Sequence, residues 1–326
     1  MRRFFLLLLS LFLPGGIVGG GLLAWGYAEY TKPGPTIAET AAVIPQGSGV
    51  EAIANTLAEA GIIADPLIFR LGVRLTGLDK GLKAGEFSFP HSVSAKDAAK
   101  ILIEGKTVIR RLTIAEGLTS IQVFDQLVAT NGLEETFDVP REGTVLPETY
   151  YFSYGDTRTD IVKRMVMAMD ENLGALWTQR SDDLPFKGPQ EALILASIVE
   201  KETGQKGERA RVAGVFVNRL NKGMRLQSDP TVVYGINDGE GALGRAITRA
   251  DLKTDTPYNT YTNHGLPPGP ICNPGLATIK AVLHPIITDE LYFVADGNGG
   301  HVFAKTLKEH NRNATRWRKI RDGAGS

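Results

Sequence analysis

The run from Phe4 to Ala28 carries no charged residue and follows directly on Arg2 and Arg3. Twenty-odd such residues in a helix span the roughly 30 Å hydrocarbon core of a bilayer. The run fixes topology before anything else, because the two arginines stay cytoplasmic and all that follows Glu29 is exported. A cleaved signal peptide is the competing reading, with Phe4–Leu13 as its apolar core and Gly26-Tyr27-Ala28 at the cleavage site. Pro14 and several glycines make the second half a mediocre helix. The apolar character nevertheless continues well past a signal core, so an uncleaved, single-pass anchor in the inner (cytoplasmic) membrane is expected. Both readings place the rest of the chain on the periplasmic or extracytoplasmic side.

Composition narrows what the exported part does. Lys+Arg and Asp+Glu each number 36, for a formal net charge of zero. A nucleic-acid partner, which needs a basic surface excess, is not expected. The basic cluster Arg312, Arg316, Arg318, Lys319 and Arg321 reads as a solvated helix face. The one cysteine, Cys272, rules out an intramolecular disulfide and sits beside no obvious base. The five histidines show no metal-ligand spacing, so neither a metal nor another cofactor is expected. With 326 residues the chain can fill two domains.

Residues 31–43 form a Pro-, Gly- and Thr-containing linker after an anchor spanning 1–30. A weak internal repeat follows. Ile44-Pro45-Gln46-Gly47 leads into a helical pattern through Ile53 and Leu57 that ends at Gly61. About seventy residues on, Ile114-Ala115-Glu116-Gly117 leads into Val123 and Leu127 and ends at Gly132. Such strand–helix units resemble LysM-like modules, which bind N-acetylglucosamine polymers, although two ordinary strand–helix units would look the same. Gly85–Phe89 reads as a strand, and Ser94 caps a helix to Glu104. Helices are expected over Thr159–Leu173, Pro189–Thr203 and Glu208–Asn221, with another capped by Asn273 and running to His284. Leu291–Ala295 and His301–Phe303 flank a glycine-rich hairpin turn, and Thr306 with Glu309 forms a capping box. The expected class is α+β: a transmembrane helix, a small LysM-like strand–helix domain over 44–110, and a larger mixed α/β domain over 111–326.

The chemistry concentrates in the larger domain. From Ala192 to Val199 the sequence is apolar except for Ser197, the mark of a buried helix, and Glu200 falls at its end. A carboxyl held against a core is a candidate general acid, since burial keeps it protonated near neutral pH. The plainer reading makes Glu200 half of a buried ion pair with Arg209 or Arg219. Downstream, Asn218, Gln227, Ser228, Asp229 and Tyr258-Asn259-Thr260-Tyr261 supply amides and rings of the kind that line carbohydrate sites. Singly, such residues are turn formers. The segment around Thr248 and Asp251 reads as a capping box.

At Ala196-Ser197-Ile198-Val199-Glu200-Lys201-Glu202-Thr203 the chain resembles the YceG-like endolytic murein transglycosylases. Phe216–Leu220, Leu226–Val232, Tyr258–Tyr261, Gly265–Ile271, Asn273-Pro274-Gly275, Leu291–Ala295 and His310-Asn311 agree in order. The segment Glu142–Tyr150 departs from the family pattern, with Glu148 where an Asp is usual. The resemblance implies that Glu200 is the catalytic residue and that the product ends in 1,6-anhydro-N-acetylmuramic acid. Asn218, Gln227, Asn259 and Tyr261 are the expected substrate-positioning residues. The implied partners are peptidoglycan glycan strands, the membrane and peptidoglycan synthases. Intramolecular attack by a sugar hydroxyl asks for one carboxyl, whereas ordinary glycosidases use two. Two other readings remain at this point. One is a non-catalytic peptidoglycan-binding anchor that uses the LysM-like units. The other is a hydrolase in which Asp229 or Glu202 activates water.

Overall fold

The computed structural model describes residues 18–323. They form two compact units, one comprising the chain to Arg110 with Tyr151–Asp156, the other Arg111–Tyr150 with the chain from Thr157 onward. The anchor expected over 4–28 lies for the most part outside the described residues. Its described end is a helix over 18–31, α1, which exposes Val18, Leu22, Leu23, Trp25 and Tyr27. Among the described residues, no helix is long and apolar enough to cross a membrane.

In the first unit, strands β1 (Thr40–Ile44) and β2 (Gly85–Phe89) pair antiparallel, with Ala42 opposite Phe87. Helices α2 (Val50–Glu59), α3 (Pro66–Leu75) and α4 (Ala95–Glu104) pack around them. Phe69, Phe87, Phe89, Leu57 and Leu102 are fully buried in a single cluster. Burial of each such side chain is worth about 1.5–3 kcal/mol, enough to hold so small a sheet. Helix α3 begins at Pro66 and is capped by Asp65, which accepts from the amides of Leu67 and Ile68. The Tyr30 ring of α1 packs onto Gly72 of α3, where a Cβ would come within 2.4 Å of the ring.

Strand β3 (Ile109–Thr113) leads toward the second unit, and α5 (Ser120–Ala129) opens with a complete capping box between Thr119 and Gln122. Short strands β4 (Leu133–Glu134), β5 (Thr149–Ser153) and β6 (Asp156–Thr157) follow. Then come α6 (Arg158–Thr178), α7 (Pro189–Glu202), α8 (Arg209–Asn221) and α9 (Asp229–Asn237). After a 3-10 turn at Asp251–Lys253 come α10 (Leu276–Leu283), the antiparallel pair β7 (Tyr292–Ala295) and β8 (His301–Ala304), and α11 (Leu307–Gly323). Helix α7 lies at the centre, against α6, α8, α9 and α10. Seven of its fourteen residues are buried, which is the all-round apolar helix its sequence requires.

The mixed α/β class holds, with helices dominant and every described sheet only two strands wide. Helix α6 runs on to Thr178 because Leu173 is continued by a further turn. Helix α10 starts at Leu276 with Gly275 at its cap. Asn273 does not cap it, because its side chain is drawn away to the neighbouring loop. Its Oδ1 accepts from the amide of Val145 and its Nδ2 donates to the carbonyl of Leu118. Residues 229–237, for which no element was expected, form α9, with Pro230 in its first turn.

Candidate active site

The last turn of α7 carries Glu200 to the edge of the second unit's core, with 6% of its side chain exposed. Ser197, the one polar residue in the apolar run, fastens this turn in place. Its hydroxyl donates to the carbonyl of Ile194 at 2.7 Å and accepts from the amide of Ile271 at 3.0 Å. The strap 271–275 is thereby held along α7, and its far end donates the Gly275 amide to Glu200 Oε2 at 2.9 Å. Glu200 Oε1 accepts from Nη2 of Arg209, itself buried on α8, at 3.2 Å. Of the two cations considered as partners, Arg209 is the one the fold delivers. Arg219 is spent elsewhere, on the carbonyls of Leu291 and Leu226 and beside the Tyr292 ring.

The opposite wall is the turn before α5. Its backbone pairs with the strap, the Gly117 amide donating to Asn273 O and the Asn273 amide to Leu118 O, each at 2.9 Å. Gly117, at φ +79°, packs directly on the stems of Glu200 and Lys201, and Lys201 Nζ donates to its carbonyl at 3.2 Å. Glu116 thereby reaches the same guanidinium, its Oε2 accepting from Arg209 Nη2 at 2.9 Å. Its Oε1 occupies the space a Cβ at position 275 would take, 1.9 Å from where that carbon would stand. The missing side chain at Gly275 thus opens the room for a second carboxylate beside the arginine. Of these two carboxylates the sequence singled out only Glu200 as a candidate acid. Glu116 was visible only as the single acidic member of the repeated turn, which carries Gln46 in the first copy.

Two residues further along α7, Glu202 faces a different environment. It accepts from the Ser228 hydroxyl at 2.5 Å. Desolvation, with Asp229 nearby, raises its pKa to about 7. Tyr261 donates to Asp229 Oδ1 at 2.6 Å. Gln227, exposed and at φ +51°, donates its backbone amide to Thr260 O. Gln227 and Tyr261 therefore belong to the loops on the Glu202 side of the helix end. Asn218 and Asn259 are drawn into the scaffold. The Asn218 amide donates to the carbonyls of Thr288 and Glu290, and that of Asn259 to those of Leu252 and Thr254, while Asn259 Oδ1 accepts from the Tyr261 amide. Thr248 and Asp251 form the capping pair expected of them, reinforced by Arg245.

A groove of about 440 Å³ opens beside Lys201, with Thr119, Gln122, Tyr234 and Asn237 among its walls. Tyr234, one of those walls, donates to Glu142, whose pKa burial raises. Cys272 is buried against the Ser197 carbonyl, and burial pushes its thiol far up, which removes it as a nucleophile. Among the described residues, no three His, Cys, Asp or Glu side chains are grouped to hold a metal ion.

Residues 42–316 match the YceG-like family. The chain is 35% identical over 303 residues to a protein named endolytic murein transglycosylase from Bacillus subtilis, covering 82% of each chain. It is 33% identical over 320 residues to a protein of the same name from Streptococcus pneumoniae, covering 83% of this chain and 57% of that one. Among solved structures it resembles a yceG-like protein of Listeria monocytogenes. There the TM-score is 0.55 at 33% identity, over 84% of this chain and 98% of that one.

Proposed function

We propose that this chain, which belongs to the YceG-like family, is an endolytic peptidoglycan lytic transglycosylase that acts through Glu200. The reading rests on one observation above all: a nearly buried carboxylate at the end of a core helix, one residue from the Lys201 that lines a groove, and held by donors on both of its oxygens. In the reaction, protonated Glu200 gives its proton to the glycosidic oxygen between N-acetylmuramic acid and N-acetylglucosamine, and the bond from that oxygen to C1 breaks. The muramyl 6-hydroxyl then bonds to C1, and the Glu200 carboxylate takes the proton it loses. No water is consumed, one proton is borrowed and returned, and the new end is 1,6-anhydro-N-acetylmuramic acid. Glu116 and Glu200 place oxygens 2.9 and 3.2 Å from the same nitrogen. Their separation is thus at most about 6 Å, short of the roughly 6.5–9.5 Å an inverting hydrolase leaves for water.

The groove beside Lys201 is the place assigned to the glycan strand, with exposed Gln227 and half-buried Tyr261, which donates to the wall residue Asp229, as positioning residues. The first unit is assigned a LysM-like, glycan-holding role. The uncharged run from Phe4 to Ala28 is assigned the anchor, a reading supported by the exposed Leu22, Leu23, Trp25 and Tyr27 at its end. Anchored there, the enzyme would trim or terminate strands as synthases release them. The test is to incubate the full chain in detergent with nascent, uncrosslinked glycan and identify the released ends by mass spectrometry. Anhydro ends from wild type and none from Glu200→Gln are expected. Reducing ends would convert the reading to a hydrolase, and no cleavage would leave a glycan-binding anchor.

A further inference from the structure

Arg209 is buried, yet it spends one nitrogen on two carboxylates: Nη2 donates to both Glu116 and Glu200, while its buried Nε finds no acceptor among the described residues. A guanidinium has five donors in a rigid fork and normally engages a carboxylate with two of them. A buried donor left idle is costly, so an arrangement that keeps one calls for a reason. Reaction through Glu200 supplies it. A carboxyl bonded by a cation resists protonation, and a general acid must accept a proton before it can give one. Glu200 therefore needs somewhere for Arg209 to go during the acid stage. Glu116 is that place: it already holds the nearer contact, with 41% of its side chain open to solvent. Its other oxygen sits in a niche that exists because residue 275 has no side chain.

We propose that Glu116 is a positioning residue of the reaction, taking over the Arg209 guanidinium whenever Glu200 carries the proton and sharing it again when Glu200 is ionised. The groups facing Glu200 are Arg209 from α8, Glu116 from the turn before α5, Lys201 from its own helix and the neutral Cys272 thiol from the strap. Only Glu116 among them can compete for Arg209. The inference rests on the transglycosylase reading, so its test begins with wild type and Glu200→Gln. Without anhydro ends that depend on Glu200, both fall together.

Given those ends, Glu116→Gln leaves Arg209 with Glu200 alone. The kcat should fall roughly ten- to hundred-fold while KM stays within about twofold, since protonation and not binding is impaired. The pH optimum should move down by about one unit, because a tenfold penalty on protonation is one unit of pH. Glu116→Asp, which keeps the charge, should restore the wild-type optimum. Should Glu116→Gln not fold, Gly275→Ala tests the same contact from the other side, because its methyl evicts Glu116 and must produce the same acid shift. An unmoved pH optimum in a folded Glu116→Gln or Gly275→Ala protein overturns the proposal, whatever happens to kcat.

Discussion

The turns at 44–47 and 114–117 are two copies of one local structure with different fates. Each ends in a glycine of positive φ, +76° at Gly47 and +79° at Gly117. Each feeds a ten-residue helix, α2 or α5, with its apolar residues four apart. Around Gly47 nothing lies within 4 Å of where a Cβ would stand, whereas Gly117 packs on Glu200 and Lys201. The residue before the glycine is Gln46 in one and Glu116 in the other, and only the second meets a buried arginine. The backbone recipe is thus neutral with respect to function. What α7, α8 and the strap place opposite the turn gives it a role.

The comparison breaks most visibly at the one polar difference. Gln46→Glu should leave glycan cleavage unchanged while Glu116→Gln lowers it at least about tenfold, both read as the release of anhydro ends. Equal effects would end the claim that position decides. A second test asks whether any partly buried acid near the α7 terminus would serve. Glu202, raised to about 7 by desolvation, should be replaceable by Gln with cleavage within about threefold. Its signature is in stability instead. A carboxyl whose folded pKa is raised weakens the fold as pH climbs from the unfolded value through 7, and the loss is complete above it. Part of Glu202 remains accessible, so the penalty is on the order of 1–3 kcal/mol. Relative to wild type, Glu202→Gln should therefore gain Tm at pH 8 that it lacks at pH 4.

Smaller effects separate the two helix starts. Thr119 makes a full capping box and also donates to Gly239 O at 2.7 Å. Thr119→Ala should thus cost about 1–2 kcal/mol by denaturant titration. Gly49 caps α2 with no side-chain bond, so Gly49→Ser should add only a few tenths, roughly 0.3 kcal/mol. The smallest contrast is between the turn glycines. Gly47→Ala and Gly117→Ala should each lose about 1 kcal/mol to the left-handed backbone, and a large difference between them would show that the turns are not equivalent.

Much of this was legible in the sequence because it depends on neighbours along the chain. Period, caps and glycine punctuation gave α7, α8, the β7–β8 hairpin and the buried setting of Glu200 with nothing beyond local rules. Asn218 and Asn259 show where such rules stop. Amides suited to sugar hydroxyls are equally suited to backbone carbonyls, and in the fold both side chains donate to carbonyls of the segments at 252–254 and 288–290. Helix α9 was hidden for a related reason, since Ser-Asp-Pro reads as a turn until packing continues it as a helix. By itself the sequence determined the central helix, the acid at its end and the repeated turn, because those follow from periodicity and from backbone freedom. Only the tertiary structure decided that Glu116 stands across Arg209 from Glu200. That contact joins residues 93 positions apart, and its geometry depends on the missing side chain at Gly275, which no local pattern specifies.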